Sequence, residues 1–302
     1  MRIIIPGGSG LIGQALIPAL EQDGHEVSIL TRHPEKVRPI GNARMVGWDG
    51  STAAGWGQIL DGASAIINLA GESIGSSPWT ADRLRRIRSS RKNAGQAMIE
   101  GLKNARNGPK ILIQQSAIGC YGVSLSQTFD ETAPFGTDVL SGICADWEAS
   151  TRPAEELGVR HIILRTGLFL TTLGGVLPKV MLPFTLFIGG PLGSGKQWYS
   201  WIHQQDWIDA VLFLLKEPST QGIFNLTAPE PVTNAEFGRT LAWIIRRPYL
   251  VPAPAFALRL ALGKMSTVVL DGQRVVPNRL LDSGFKFKYP KLHDALENIF
   301  HS

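Results

Sequence analysis

Ile3-Ile4-Ile5-Pro6-Gly7-Gly8-Ser9-Gly10-Leu11-Ile12-Gly13 opens the chain, directly after Met1-Arg2. Three isoleucines in a row read as a short buried strand, and the apolar periodicity from Leu11 to Asp23 reads as a helix. The turn between them is G-x-x-G-x-x-G. Gly7 permits a tight turn, Gly10 lets the backbone approach a pyrophosphate, and Gly13 lets helix and strand pack closely. The first N–H groups of the helix, with Leu11 and Ile12 in its first turn, would then face the phosphates. Three spaced glycines alone are a weak signal, equally met by a tight turn without a ligand. In strand–turn–helix context they point to a dinucleotide.

Working outward, further β-branched runs occur at Val27–Thr31, Ala65–Leu69, Lys110–Gln115 and His161–Arg165. Helical stretches lie between them, near Ala81–Asn104 and Ile143–Glu156. Short apolar strands separated by helices imply βαβ units, hence an α/β fold with a doubly wound parallel sheet of the Rossmann type. After Gly167 the rhythm changes to prolines, glycines and aromatics. A helix–strand pair, Asp206–Lys216 and Gly222–Leu226, follows, and then a helix near Asn234–Ile245. The expected organisation is a nucleotide-binding domain over residues 1–166, to which 203–227 return. A smaller, interleaved C-terminal substrate-side domain covers 167–302.

The second strand ends at Thr31-Arg32-His33. An acidic residue there would accept from the ribose 2′-OH of NAD, whereas a guanidinium forks onto a 2′-phosphate. Arg32 therefore points to NADP(H), the alternative being a solvated arginine on a loop.

Composition narrows the rest. With 302 residues, 44% hydrophobic and 18% charged, the chain is apolar enough for a real core and is not disordered. Two cysteines cannot build a disulfide framework, and six histidines without metal-ligand spacing argue against a zinc site, so no metal is expected. A net charge of +5 fits an anionic small ligand as well as nucleic acid. The reading is a cytoplasmic protein, or a mature organellar form, without a membrane or nucleic-acid partner.

Later motifs carry a family resemblance. Asn68-Leu69-Ala70-Gly71, Ser116, Tyr121-Gly122 and Asp130-Glu131-Thr132-Ala133-Pro134 resemble an extended short-chain dehydrogenase/reductase. Leu164-Arg165-Thr166-Gly167, Gly189–Gly195, Trp201-Ile202-His203 and Gly272–Pro277 look like its atypical branch of epimerase family proteins, with their C-terminal domain. The resemblance spans essentially the whole chain. It implies cofactor contacts from Leu69, Ala70 and Gly71, and from Leu168 and Phe169 at the nicotinamide end.

One departure stands out. That group uses Tyr-x-x-x-Lys, in which Lys lowers the Tyr pKa for general acid–base work. The four tyrosines are followed, four residues on, by Leu125, His203, Ala253 and His293. The pair is absent, and the helix offers Cys144/Glu148 or Ile143/Trp147 in its slot. Ser116 and Tyr121 remain as catalytic candidates, against readings as a backbone-capping hydroxyl and a packing aromatic. Glu72 and His203 remain on the substrate side, against a solvated acid and a loop-organising histidine.

Arg83, Arg85, Arg86, Arg88, Arg91 and Lys92 crowd one helix. Helical spacing aligns Leu84, Ile87, Arg91, Met98 and Leu102, which puts Arg91 on the apolar stripe. A charge there needs a partner, either a cofactor phosphate or an acid. The resemblance favours the cofactor. Two functions follow as expectations. The first is an NADP(H)-dependent oxidoreductase or nucleoside-sugar-epimerase-like enzyme on a small polar substrate, with a homodimer implied by the resemblance. The second is an NADP(H)-binding regulator or redox sensor without turnover, with a link to cell division.

Overall fold

A computed structural model describes residues 1–301. The central sheet has seven parallel strands: β1 (Arg2–Pro6), β2 (Glu26–Thr31), β3 (Arg44–Gly47), β4 (Ala65–Asn68), β5 (Ile111–Ala117), β6 (Arg160–Thr166) and β7 (Gly222–Leu226). Their order is β3-β2-β1-β4-β5-β6-β7. The order reverses between β1 and β4, and in such sheets the crevice at the reversal receives the ligand.

Helices α1 (Leu11–Gln22), α2 (Ala81–Asn104), α3 (Val139–Ala149), α4 (Leu177–Thr185), α5 (Gln204–Lys216), α6 (Asn234–Ile244) and α7 (Ala255–Leu262) flank the sheet and build the C-terminal part. Alternation along β1 shows why both faces are covered. Ile3 and Ile5 pack with Leu16 and Leu20 of α1 and Val211 of α5. Ile4, between them, packs on the opposite face with Ala97 and Met98 of α2. A further core of Leu177, Phe184, Trp201, Phe237 and Leu296 belongs to the C-terminal part. None of the described helices is long and apolar enough to cross a membrane.

Two elements differ from expectation. The edge strand β3 has four residues, none buried, so it offers no apolar run to read. Helix α3 spans Val139–Ala149 and not 143–156. It starts early because the Asp138 carboxylate accepts from the Ser141 N–H at 2.9 Å, and a 3-10 turn at Arg152–Ala154, containing Pro153, follows it.

The end of the chain threads back into the first part. Arg274–Val275 pair with Thr128–Phe129, and the Asn225 side-chain amide donates to Val276 O at 3.0 Å. Buried Glu131 accepts from the backbone N–H of Asn225 at 3.0 Å and of Arg279 at 3.3 Å. Asp206 accepts from the N–H groups of Lys288 and Tyr289.

Candidate functional site

The glycine turn is a cradle with no space for side chains on its inner side. Gly7 has φ +74°, and a Cβ there would lie 2.8 Å from the backbone of Ala70. A Cβ on Gly13 would lie 2.2 Å from Gly8 O. Gly10, the N-cap of α1, is exposed, and no side chain caps the helix. The first-turn N–H groups of Leu11 and Ile12 are thus left for an anion. The residues fit a dinucleotide.

Around the cradle, Leu69 N–H donates to Pro6 O at 2.9 Å, and Asn68 Oδ1 accepts from Ala70 N–H at 3.1 Å. This fixes Leu69–Gly71 beside Gly7. Thr31 ends β2, and Arg32 is exposed just beyond it, lying over Gly50 and making no ion pair among the described residues. From the other side, Leu11 packs against Gly174 and Gly175, and Lys179 of α4 donates to Gly75 O at 2.6 Å. The C-terminal part therefore closes over the glycine turn.

Arg91 is half-buried beside Gly71, its guanidinium 4.7 Å from the Trp147 ring centroid. It donates to the carbonyls of Glu72 at 2.9 Å and Ile87 at 3.1 Å. Burial lowers its pKa to about 10, and no described carboxylate pairs with it. On α2 the buried arginine with an acid partner is Arg83, which the apolar stripe omitted. It pairs with Glu72 and also donates to Ser73 O and Ser76 Oγ. Its signal was present in the sequence, since Arg83, Ile87 and Arg91 lie on one row at steps of four. Glu72 is consequently not a free base at the cleft; Arg83 and Arg86 hold its carboxylate.

Ser116 and Tyr121 lie in the interior. Strand β5 runs two residues further than its apolar run, so Ser116 sits inside the strand, opposite Arg165 of β6. Fully buried, its hydroxyl donates to Glu148 Oε1 at 2.6 Å. The Glu148 carboxylate also receives two bonds of 2.9 Å from the Arg165 guanidinium. Arg165 in turn covers the rings of Tyr121 and Phe135, each at 4.9 Å. Burial opposes its charge, but the bonds to Glu148 hold its pKa above the ordinary value.

Tyr121 is 3% exposed, stacks on Phe129 and donates to Asn225 Oδ1 at 2.7 Å. Burial pushes its phenol pKa well above the ordinary range, so it is a poor proton donor. On α3, Glu148 and Cys144 both turn inward. The Cys144 thiol lies 3.8 Å from Ala117 O, with its pKa pushed up to about 12 by burial. Ile143 and Trp147 are buried as well, so both pairs offered for the missing slot lie in the interior, one of them an apolar thiol with a carboxylate already bound to arginine.

The remaining candidates are also packed. Phe169 is buried with its ring edge-on to Trp207, so only half-buried Leu168 leaves surface at the end of β6. His203 accepts from Gln205 N–H at 3.0 Å, which caps α5, and its ring lies 4.1 Å from that of Tyr289. It is a buried helix cap. The Gly189–Gly195 segment is pinned rather than free, since Pro191 O accepts from Ala253 N–H and Gly189 O accepts from Leu250 and Val251.

Residues 3–227 match the NAD dependent epimerase/dehydratase family. The chain belongs to that family. Its last part, residues 253–299, matches a domain of unknown function, DUF1731. Epimerase family protein SSP1921 of Staphylococcus saprophyticus is 41% identical over 301 residues, covering 99% of each chain. The human epimerase family protein SDR39U1, solved with NADPH, is 32% identical and superposes with a TM-score of 0.89 over 99% of each chain. A nucleoside-diphosphate sugar epimerase from Corynebacterium glutamicum is 30% identical, with a TM-score of 0.77 over 98% of this chain and 57% of that one.

As an extended short-chain dehydrogenase/reductase of the epimerase family, the chain keeps the dinucleotide cradle and closes the space behind it. His203 gives that closure a pH signature. Burial holds its folded pKa near 4, below the ordinary 6.5, so the unfolded chain takes up the proton first as pH falls. Its stabilising contribution is complete above pH 6.5 and is lost between there and pH 4, by about 3 kcal/mol. His203→Asn keeps a capping acceptor and should flatten that part of the thermal stability profile; an unchanged slope would exclude His203 as the cause.

Proposed function

We propose that this family member binds NADP(H) and acts as a regulator or redox sensor, without the Tyr-x-x-x-Lys proton relay usual in short-chain dehydrogenase/reductases. Bound nicotinamide supplies a hydride, and the residues here hold and orient the dinucleotide. The glycine cradle and the N-terminus of α1 take the pyrophosphate, Leu69–Gly71 and Arg91 flank the nicotinamide half, and Arg32 takes the 2′-phosphate. NADP(H) over NAD(H) rests on the unpaired guanidinium of Arg32 and on the NADPH in the human relative. The absence of a relay rests on one observation: buried Ser116 donates to a Glu148 carboxylate already bound by Arg165.

The test combines binding and turnover. Arg32→Ala should weaken NADPH binding roughly ten- to a hundredfold, as loss of a charged hydrogen-bonding pair does, while leaving NADH affinity nearly unchanged. Equal losses for both would remove the 2′-phosphate assignment. Tight NADPH binding without NADPH oxidation across a broad carbonyl panel supports the regulator. Turnover abolished by Ser116→Ala or Tyr121→Phe, in protein that still folds and binds NADPH, would restore the oxidoreductase reading.

A further inference from the structure

The C-terminal part carries a surface that the cofactor site does not use. Helix α7 has no buried residue; Phe256 and Leu260, one turn apart on the same side, are 73% and 88% exposed. The adjoining segments add Leu250 at 78%, with Leu186, Phe187 and Ile188 also exposed. They are joined through the bonds of Leu250 and Val251 N–H to Gly189 O. Phe187 and Arg246 are the two non-glycine residues with positive φ among the described residues, at 61° and 53°. Left-handed backbone is costly for an aromatic residue, yet here it holds an exposed ring, with the Arg247 guanidinium 4.6 Å above it.

The charge on this surface is mostly positive. No Asp or Glu occurs between Glu156 and Asp206, or between Glu236 and Asp271. Lys179, Lys196, Arg239, Arg246, Arg247, Arg259 and Lys264 lie in those stretches. Arg246, Arg247, Arg259 and Lys264 make no ion pair among the described residues, although Glu297 lines the groove beside Trp243, Arg246 and Arg247, and Asp271 lies near Arg259.

We propose that this surface docks on an anionic bilayer, with Phe256 and Leu260 entering the headgroup boundary and the arginines against lipid phosphates. Protruding aliphatic and aromatic side chains beside uncompensated cations are the composition of interfacial helices. A second copy fits less well, because pairing the face with itself brings like charges together. Nucleic acid fits less well too, because the most exposed side chains are aliphatic and offer phosphates nothing. The contact is peripheral and needs no span; it departs from the expectation, drawn from sequence, of no membrane partner.

Flotation of the full chain with vesicles tests it. Binding is expected to phosphatidylcholine vesicles containing about a third phosphatidylglycerol and not to phosphatidylcholine alone, and should weaken with salt. The double variant Phe256→Ser/Leu260→Ser should lower the bound fraction at least about tenfold. Arg246→Gln/Arg247→Gln/Arg259→Gln should lower it comparably. Thermal unfolding and NADPH affinity of the variants should match the parent protein, since these side chains are exposed and none of them lies against Gly7, Gly10 or Gly13. Three results overturn the proposal: no binding to the anionic vesicles, binding that survives the Phe256→Ser/Leu260→Ser change, or self-association in sedimentation that this change abolishes.

Discussion

Replacing Glu148 by alanine is expected to cost about 3–5 kcal/mol of unfolding free energy. The substitution leaves the Arg165 guanidinium buried without its carboxylate, and Ser116 without its acceptor. Removing one member of a buried pair costs far more than the pair contributes, because the uncompensated charge stays in the interior. Against a total of about 5–15 kcal/mol for a typical domain, such a loss shows directly as a lower denaturant midpoint. Ser116→Ala should cost only about 1 kcal/mol, the value of one hydrogen bond. The double variant Glu148→Leu/Arg165→Met should recover part of the loss, since apolar replacements of buried ion pairs are often neutral. Guanidinium unfolding of the three proteins checks the order. A Glu148→Ala variant as stable as the parent would mean that the pair is not buried in solution.

Gly13→Val should remove NADPH binding and destabilise the fold together. Even the first carbon of a side chain at this position would lie 2.2 Å from Gly8 O, and the obstructing atoms are backbone. The turn has to open, at a cost of about 1–3 kcal/mol from overpacking, and the cradle loses its register. In the parent protein, NADPH at a hundred times its dissociation constant should stabilise the folded state by about 2.7 kcal/mol. The variant should show no such upshift in melting temperature at the same concentration. A preserved upshift would place the dinucleotide elsewhere.

The cradle was legible because its chemistry is local: strand, turn and helix N-terminus lie within thirteen residues, and glycine at Gly7 and Gly13 has a steric cause. Buried strands were legible for the same reason, as β-branched runs. The edge strand β3 has no such run. The buried Ser116–Glu148–Arg165 cluster behind the cradle was not legible, because its members lie far apart in sequence. Only the pairing of β5 with β6 brings Ser116 opposite Arg165, and only the packing of α3 delivers Glu148 to both. On α2 the apolar stripe turned Arg91 inward but passed over Arg83, which shares the row of Ile87 and Arg91 and is covered by the Ser73–Ser76 loop that folds over the helix start.

The return of residues 274–289 into the first part of the fold has a consequence for synthesis on the ribosome. Six of the seven strands of the sheet are complete by Thr166, and β7 by Leu226. Yet Glu131 stays without its Arg279 partner, and Asp206 without Lys288 and Tyr289, until residues 279–289 have emerged. Domains generally fold as units as they are made, but this one is sealed by residues 274–289, after the whole sheet has been made. A nascent chain stalled near residue 270 would therefore carry a largely formed nucleotide-binding sheet with its carboxylates open to water and the β7 edge uncovered. Such a species is a natural client for chaperones and proteases, and a truncation there would be selected against even though it spares every residue of the cradle.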